Sequence, residues 1–215
     1  RADTALNQGI PVQNHERSSS DAADPIRSIV GSACAGDPES IRRLVRSGID
    51  LTCLDQFGNT LLEVVIAQMA FFPDAPRYKV VAELLRCGAD ARQHNTDGSG
   101  PLYSAVLNMD TDMIRILLDA GADPNAEKMD SESESFHDWA EFDYRYEIWS
   151  VNPPEKAIDA DRSSEDAWLA YLDRLAVKYG KRRPDHLQLL RRRGALSMAE
   201  LRQRAGSGTT RQGEG

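Results

Sequence analysis

Four stretches of the chain share one pattern of apolar and polar positions. ESIRRLVRSGIDL (39–51), KVVAELLRCGADA (79–91), DMIRILLDAGADP (112–124) and DHLQLLRRRGALS (185–197) each place apolar residues at i, i+3 and i+4. That spacing belongs to a helix with one buried face. Each stretch closes on a glycine, Gly48, Gly88, Gly121 or Gly194. The residue after a helix often turns left-handed, a conformation without penalty only for glycine. Upstream lie matching helix starts: TLLEVV from Thr60, GPLYSA from Gly100 and NPPEKA from Asn152. Thr60 and Asn152 are residue types that cap free amides, and Pro101 and Pro153 suit the first helical position. Short loops carrying Gly58 (DQFGNT) and Gly98 (NTDGSG) precede two of these starts.

The glycines set a period. Gly88 to Gly121 spans 33 residues, and GPLYSA followed by DMIRILLDAGADPNA is close to a known repeat consensus. The pattern resembles the ankyrin repeat, a turn–helix–helix unit of about 33 residues with a T-P-L-H-x-A signature. SACAGDPESIRRLVRSGIDL matches the later part of a unit, with Arg27 and Ser28 where Thr-Pro would stand. Gly48 to Gly88 is 40 residues, one repeat plus seven around MAFFPDAPR. Gly121 to Gly194 is 73, one repeat plus forty. The resemblance implies an all-α ankyrin-repeat solenoid of about four repeats over residues 25–197. One helix pair cannot bury its apolar face alone, so neighbours stack. The domain runs over 25–205, with the basic LLRRRGALSMAELRQR as its C-terminal cap. Residues 1–24 and 206–215, rich in Ser, Gly, Asn and Gln, read as disordered tails.

Aligning Ala105 with Ala157 divides the forty extra residues into two insertions. One, at 159–180, lies between the helices of the fourth repeat and contains DAWLAYLDRLAVKYG. It spaces Trp168, Leu172, Leu175 and Tyr179 on one helical face, an added helix in which Trp168 and Tyr179 serve as core or cap. The other, at 127–151, lies between repeats three and four and contains FHDWAEFDYRYEIW. Ala140, Phe142, Tyr144, Tyr146 and Ile148 alternate there with Glu141, Asp143, Arg145 and Glu147. That is the period of a half-buried strand, and its aromatic content favours an inserted β-like finger. A helix would instead align Trp139, Phe142, Tyr146 and Trp149. A mixed outcome is expected, with Phe142 and Ile148 buried and Trp139, Tyr144 and the acids exposed.

Charge gives the finger a direction. The chain carries a net charge of −8, and the segment from Arg174 onward holds eleven Lys/Arg against three acids. Everything before Arg174 therefore carries about −16, which disfavours nucleic acid and suits a basic partner. Residues 127–147 hold eight acids against Lys128 and Arg145. No run of eighteen apolar residues exists, so the sequence predicts no membrane span. Cys34, Cys53 and Cys87 form no C-x-x-C pair and read as buried free thiols in a reducing, cytoplasmic setting. The chain opens without an initiator Met, which points to a removed leader or upstream segment; a removed signal peptide would make the setting periplasmic.

No catalytic or metal constellation emerges. His15, His94, His137 and His186 stand apart, with no H-E-x-x-H, no zinc spacing and no G-x-S-x-G or phosphate loop. DTD (110–112) and DSESE (130–134) lack the ligand order of a calcium loop. The expectation is a non-catalytic, cofactor-free protein-binding module, monomeric when free. In ankyrin stacks the connecting loops project as fingers along the concave face, the usual partner surface. The residues that fall there are Asp138, Trp139, Glu141, Phe142, Asp143, Tyr144, Tyr146, Glu147 and Trp149, with Phe57, Asn59 and Asp97 from the shorter loops. Small bacterial proteins with diverged ankyrin repeats resemble immunity proteins that neutralise toxins, which implies inhibition of a basic toxin or enzyme. A secreted effector that binds a host protein and a periplasmic accessory protein are the alternatives.

Overall fold

A computed structural model describes residues 25–71, 76–129 and 131–209. Its α-helices are α1 (Pro25–Cys34), α2 (Pro38–Arg46), α3 (Leu61–Met69), α4 (Arg77–Arg86) and α5 (Pro101–Leu107). There follow α6 (Thr111–Asp119), α7 (Phe136–Trp149), α8 (Glu165–Lys178), α9 (Asp185–Arg192) and α10 (Met198–Thr209). A 3-10 turn, Asp159–Arg162, precedes α8. Among the described residues there is no strand, only a single antiparallel bridge between Leu54 and Thr60.

The helices form two layers. In one, α1 packs on α3, α3 on α5 and α5 on α7; in the other, α2 packs on α4, α4 on α6 and α6 on α9. Apolar side chains of both layers meet in one continuous core, from Ile29 and Ile41 through Val65, Leu84, Leu102 and Leu117 to Tyr144 and Leu187. Local sequence sets the helix starts. Thr60 Oγ1 accepts the Glu63 N–H while Glu63 returns a carboxylate to the Thr60 N–H, a capping box. Asp37 and Asp110 cap α2 and α6, and Pro38 and Pro101 occupy first-turn positions.

The fourth unit corrects the sequence reading. Its first helix is α7, packed on α5 and α9, and not a helix beginning at Asn152. Thirteen residues separate Gly88 from Pro101, and only fifteen separate Gly121 from Phe136. The chain therefore reaches its next first helix almost on schedule. NPPEKA forms no helix, because Pro154 drives the residue before it out of the helical region. The long insertion is thus single, running from Ser150 to the start of α9 and carrying the 3-10 turn and α8. The expected face of α8 is present in part: Leu172 and Leu175 are buried and Trp168 is half-buried, but Tyr179, expected in the core or cap, follows the helix and is exposed.

The β-like finger is likewise replaced by α7. Ser135 Oγ accepts the Asp138 N–H at 3.1 Å, and Asp138 Oδ2 accepts the Ser135 N–H at 3.2 Å. This capping box nucleates a helix where the apolar alternation favoured a strand. A period of 3.6 turns Phe136, His137, Ala140, Glu141 and Tyr144 inward. Tyr144 is consequently 0% exposed and Phe142 45% exposed, the reverse of the expectation for these two rings, which a strand would place on one face. The helix ends where Ser150 and Val151 take positive φ (52° and 87°), and the Val151 N–H donates to the Arg145 carbonyl at 3.1 Å. Beyond α9, α10 docks through the Met198 N–H on Asp138 Oδ2 (2.8 Å) and through Glu200 on Arg191 (2.6 and 2.9 Å). It runs to Thr209, so residues 206–209, expected in a disordered tail, are helical. Residues 1–24 and 210–215, the rest of the expected tails, lie outside the described residues, as do residues 72–75 of the seven-residue insertion.

Candidate binding face

The loops before α3 and α5 share one construction. Asp55 Oδ1 accepts the N–H groups of Phe57 and Asn59 at 2.9 and 2.8 Å, and Asn95 Oδ1 accepts those of Asp97 and Ser99 at 2.9 and 3.0 Å. A short side chain that satisfies two amides fixes a tight turn without a strand partner. Neighbouring loops then join: the Thr96 N–H donates to the Gly58 carbonyl and the Lys128 N–H to the Gly98 carbonyl, both at 3.1 Å. Gly58 and Gly98 have φ of 83° and 91°, and a Cβ on either would strike the next loop, at Thr96 and at Lys128 (2.8 Å). Here glycine is required both by conformation and by close approach.

Two carboxylates, Glu63 buried and Glu127 partly buried, tie the loops to the helices. Glu63 Oε1 accepts Asn95 Nδ2 at 2.9 Å, and Glu127 Oε2 accepts the Gly100 N–H at the start of α5 at 2.7 Å. Burial, reinforced by Glu63 and Asp123, pushes the Glu127 carboxyl up to about 7. Burial also raises Glu63. Between loops and helices lies a groove of about 610 Å³ lined by Glu63, Asn95, Asp97, Tyr103, Ser104 and Lys128, among others.

The groove continues onto α7. Tyr103 stacks on Trp139 with ring centroids 4.5 Å apart, and Trp139 stacks on Phe136 at 5.8 Å. One turn further along α7, Phe142 and Tyr146 stack at 6.5 Å and remain 45% and 57% exposed. Asp143, partly buried, and the exposed Glu147 lie one residue on from each ring, a turn apart. Burial, with the nearby Glu147 second, pushes the Asp143 carboxyl up. Among the described residues neither acid is ion-paired.

The twelve residues singled out in the sequence therefore separate. Trp139, Phe142, Asp143, Tyr146 and Glu147 share the outward side of α7, with Trp149 partly buried at its end and edge-on to Tyr179 at 6.1 Å. Phe57, 74% exposed, and Asp97 stand on adjoining loop tips, while Asn59 braces its own turn through Asp55 (3.1 Å). Three more of the twelve are bonded within the fold. Tyr144 donates its hydroxyl to the Arg182 carbonyl at 2.6 Å. Glu141 receives Arg145 (2.5 and 3.1 Å) and Trp168 Nε1 (2.7 Å). Burial raises Asp138, but His137, 3.9 Å away, and the N–H groups of Met198 and Ser135 outweigh it and hold the carboxyl at about 2. Sequence reasoning missed Tyr103, which links groove and helix, and Leu107, exposed on α5. Tyr103 stands where the repeat signature has histidine, a departure that marks it.

Among the described residues no cluster of three or more metal-ligating side chains occurs, and no helix is long and apolar enough to cross a membrane. Two layers of paired helices with stacked connecting loops define a helical repeat protein. Residues 29–128 match the family model of ankyrin repeats in three copies, and that stretch of the chain is built of ankyrin repeats. Ankyrin repeats are generally protein-interaction modules. No curated protein matches the chain.

Proposed function

We propose that the groove and the outward side of α7 form one surface that binds a protein with a basic face. The observation that carries this is the exposed Phe142–Tyr146 stack flanked by Asp143 and Glu147 without a cationic partner among the described residues. Aromatic rings supply contact area with little side-chain entropy to lose, and unpaired acids steer a basic partner into place. Most other acids of the helices are paired, as Glu83 is with Arg42 and Arg86, Asp173 with Arg183 and Glu200 with Arg191. The unpaired pair on α7 is thus a local exception, in a chain of net charge −8. With no catalytic constellation in the sequence, the protein acts by occupation: an immunity or inhibitor protein that occludes a basic toxin or enzyme.

The test is neutralisation of a toxin-like product encoded beside this protein's gene, measured with the native chain and with Phe142→Ala/Tyr146→Ala/Asp143→Arg/Glu147→Arg. The variant is expected to lose at least about tenfold in affinity. The association rate of the native pair should fall steeply between about 50 and 500 mM salt. Neutralisation by the variant at native potency would overturn the reading.

A further inference from the structure

Four times in this fold a cation sits over an aromatic ring while paired with a carboxylate. Arg145 lies 5.6 Å from the Phe142 centroid and binds Glu141 at 2.5 Å. Arg174 lies 5.8 Å from the Tyr171 centroid and binds Asp161 at 2.8 Å. Arg77 lies 4.9 Å from Tyr78 and binds Asp110 at 3.1 Å. Lys178 does the same over Tyr179 with Glu155. Next to the Arg145-covered Phe142, the outward side of α7 carries a second ring with acids beside it and no cation: Tyr146, 57% exposed, with Asp143 and Glu147. Among the described residues no cation lies over Tyr146.

We propose that this side of α7 recognises arginine: the partner segment lays a guanidinium group on the Tyr146 ring, next to the Arg145-covered Phe142, and forks it onto Asp143 and Glu147. This rests on the reading of α7 as a partner surface and specifies its chemistry. A guanidinium is flat, stacks on a ring and presents parallel N–H donors to a carboxylate in one geometry. A lysine ammonium is a compact, strongly hydrated charge that does one of these at a time. Asp143 and Glu147, four residues apart, repel each other along the helix. A guanidinium between them removes that repulsion, and the partial burial of Asp143 strengthens the pairing.

Alanine-based helical peptides carrying two arginines four residues apart, and twins carrying lysine or glutamate, would be titrated into the full chain and followed by amide NMR shifts. The arginine peptide should shift resonances around residues 139–147 and bind at least about fivefold tighter than the lysine twin. Tyr146→Ala, and separately Asp143→Asn/Glu147→Gln, should remove that preference; all three positions are on the surface of the helix, so the fold is retained. Equal binding of the arginine peptide and its lysine twin, shifts located elsewhere, or no response to the arginine peptide would overturn the inference. If the arginine and lysine peptides bind alike while toxin neutralisation still depends on Phe142 and Tyr146, the partner surface stands and arginine selection falls. If neither measurement responds to the variants, both fall.

Discussion

Gly48 and Gly58 both have positive φ, 90° and 83°, yet only Gly58 faces a neighbour; nothing lies within 4 Å of a Cβ on Gly48. Gly48→Ala is expected to cost about 1 kcal/mol through backbone strain alone. Gly58→Ala adds a collision with Thr96 and should cost about 2–3 kcal/mol, compared by urea unfolding. Glu127 gives a pH signature. Its carboxyl, near 7 in the fold against 4.5 as a free side chain, is stabilised in the protonated form. That contribution is complete below about pH 4.5 and is lost as pH rises through 7. Glu127→Gln keeps an acceptor for the Gly100 N–H and removes the titration. Relative to the native chain it should gain about 1–3 kcal/mol between pH 4.5 and 8, measured by unfolding across that range. The glycines at 58 and 98 were legible from sequence as loop markers. Their close approach was not, because it depends on which residue the following loop brings alongside.

α7 separates two readings of one string. Its residues fit a period of 2 and a period of 3.6, and strand propensity favours the former. What decides is local and short: the Ser135–Asp138 capping box, and the fifteen-residue step from Gly121 that makes this segment the next first helix. Both signals are in the sequence, but anchoring the repeat on Asn152 and Pro153 hid the step. The helical alignment of Trp139, Phe142, Tyr146 and Trp149 was legible as the alternative and describes the outward side of α7. The helix separates two rings that a strand would place on one face, and so predicts unequal costs for their removal. Tyr144→Ala should cost about 3–5 kcal/mol, since it empties a core site and removes the bond to the Arg182 carbonyl. Phe142→Ala, at a surface ring, should fall within about 0.5–1 kcal/mol of the native chain. Denaturant midpoints of the two variants check the order.

At the scale of the whole molecule, the repeat order was legible because its period and glycines recur at fixed steps. The fourth unit was not, because its two helices are separated by the insertion that carries α8. That unit is tied back by bonds between distant residues: Asn125 donates to the Gly194 carbonyl at 2.9 Å and accepts the Leu196 N–H at 2.9 Å, and Arg193 pairs with Asp119. Removing it would uncover the α5 and α6 faces that carry Tyr103, Leu117 and Ile114. In a stack whose stability is the sum of units and the contacts between them, a chain ending at residue 134 should unfold at a lower temperature and self-associate. Calorimetry and light scattering would record both.

The loop glycines also bear on how such a chain grows. Each of Gly58 and Gly98 is a socket, and the plug that fills it, Thr96 or Lys128, is encoded in the following unit. A duplicated or transplanted unit brings its own socket but borrows the plug from whatever comes next. Recombination that keeps the helices but breaks this pairing would leave an ill-seated joint, so the heritable module is offset from the helix pair and spans the boundary between two units.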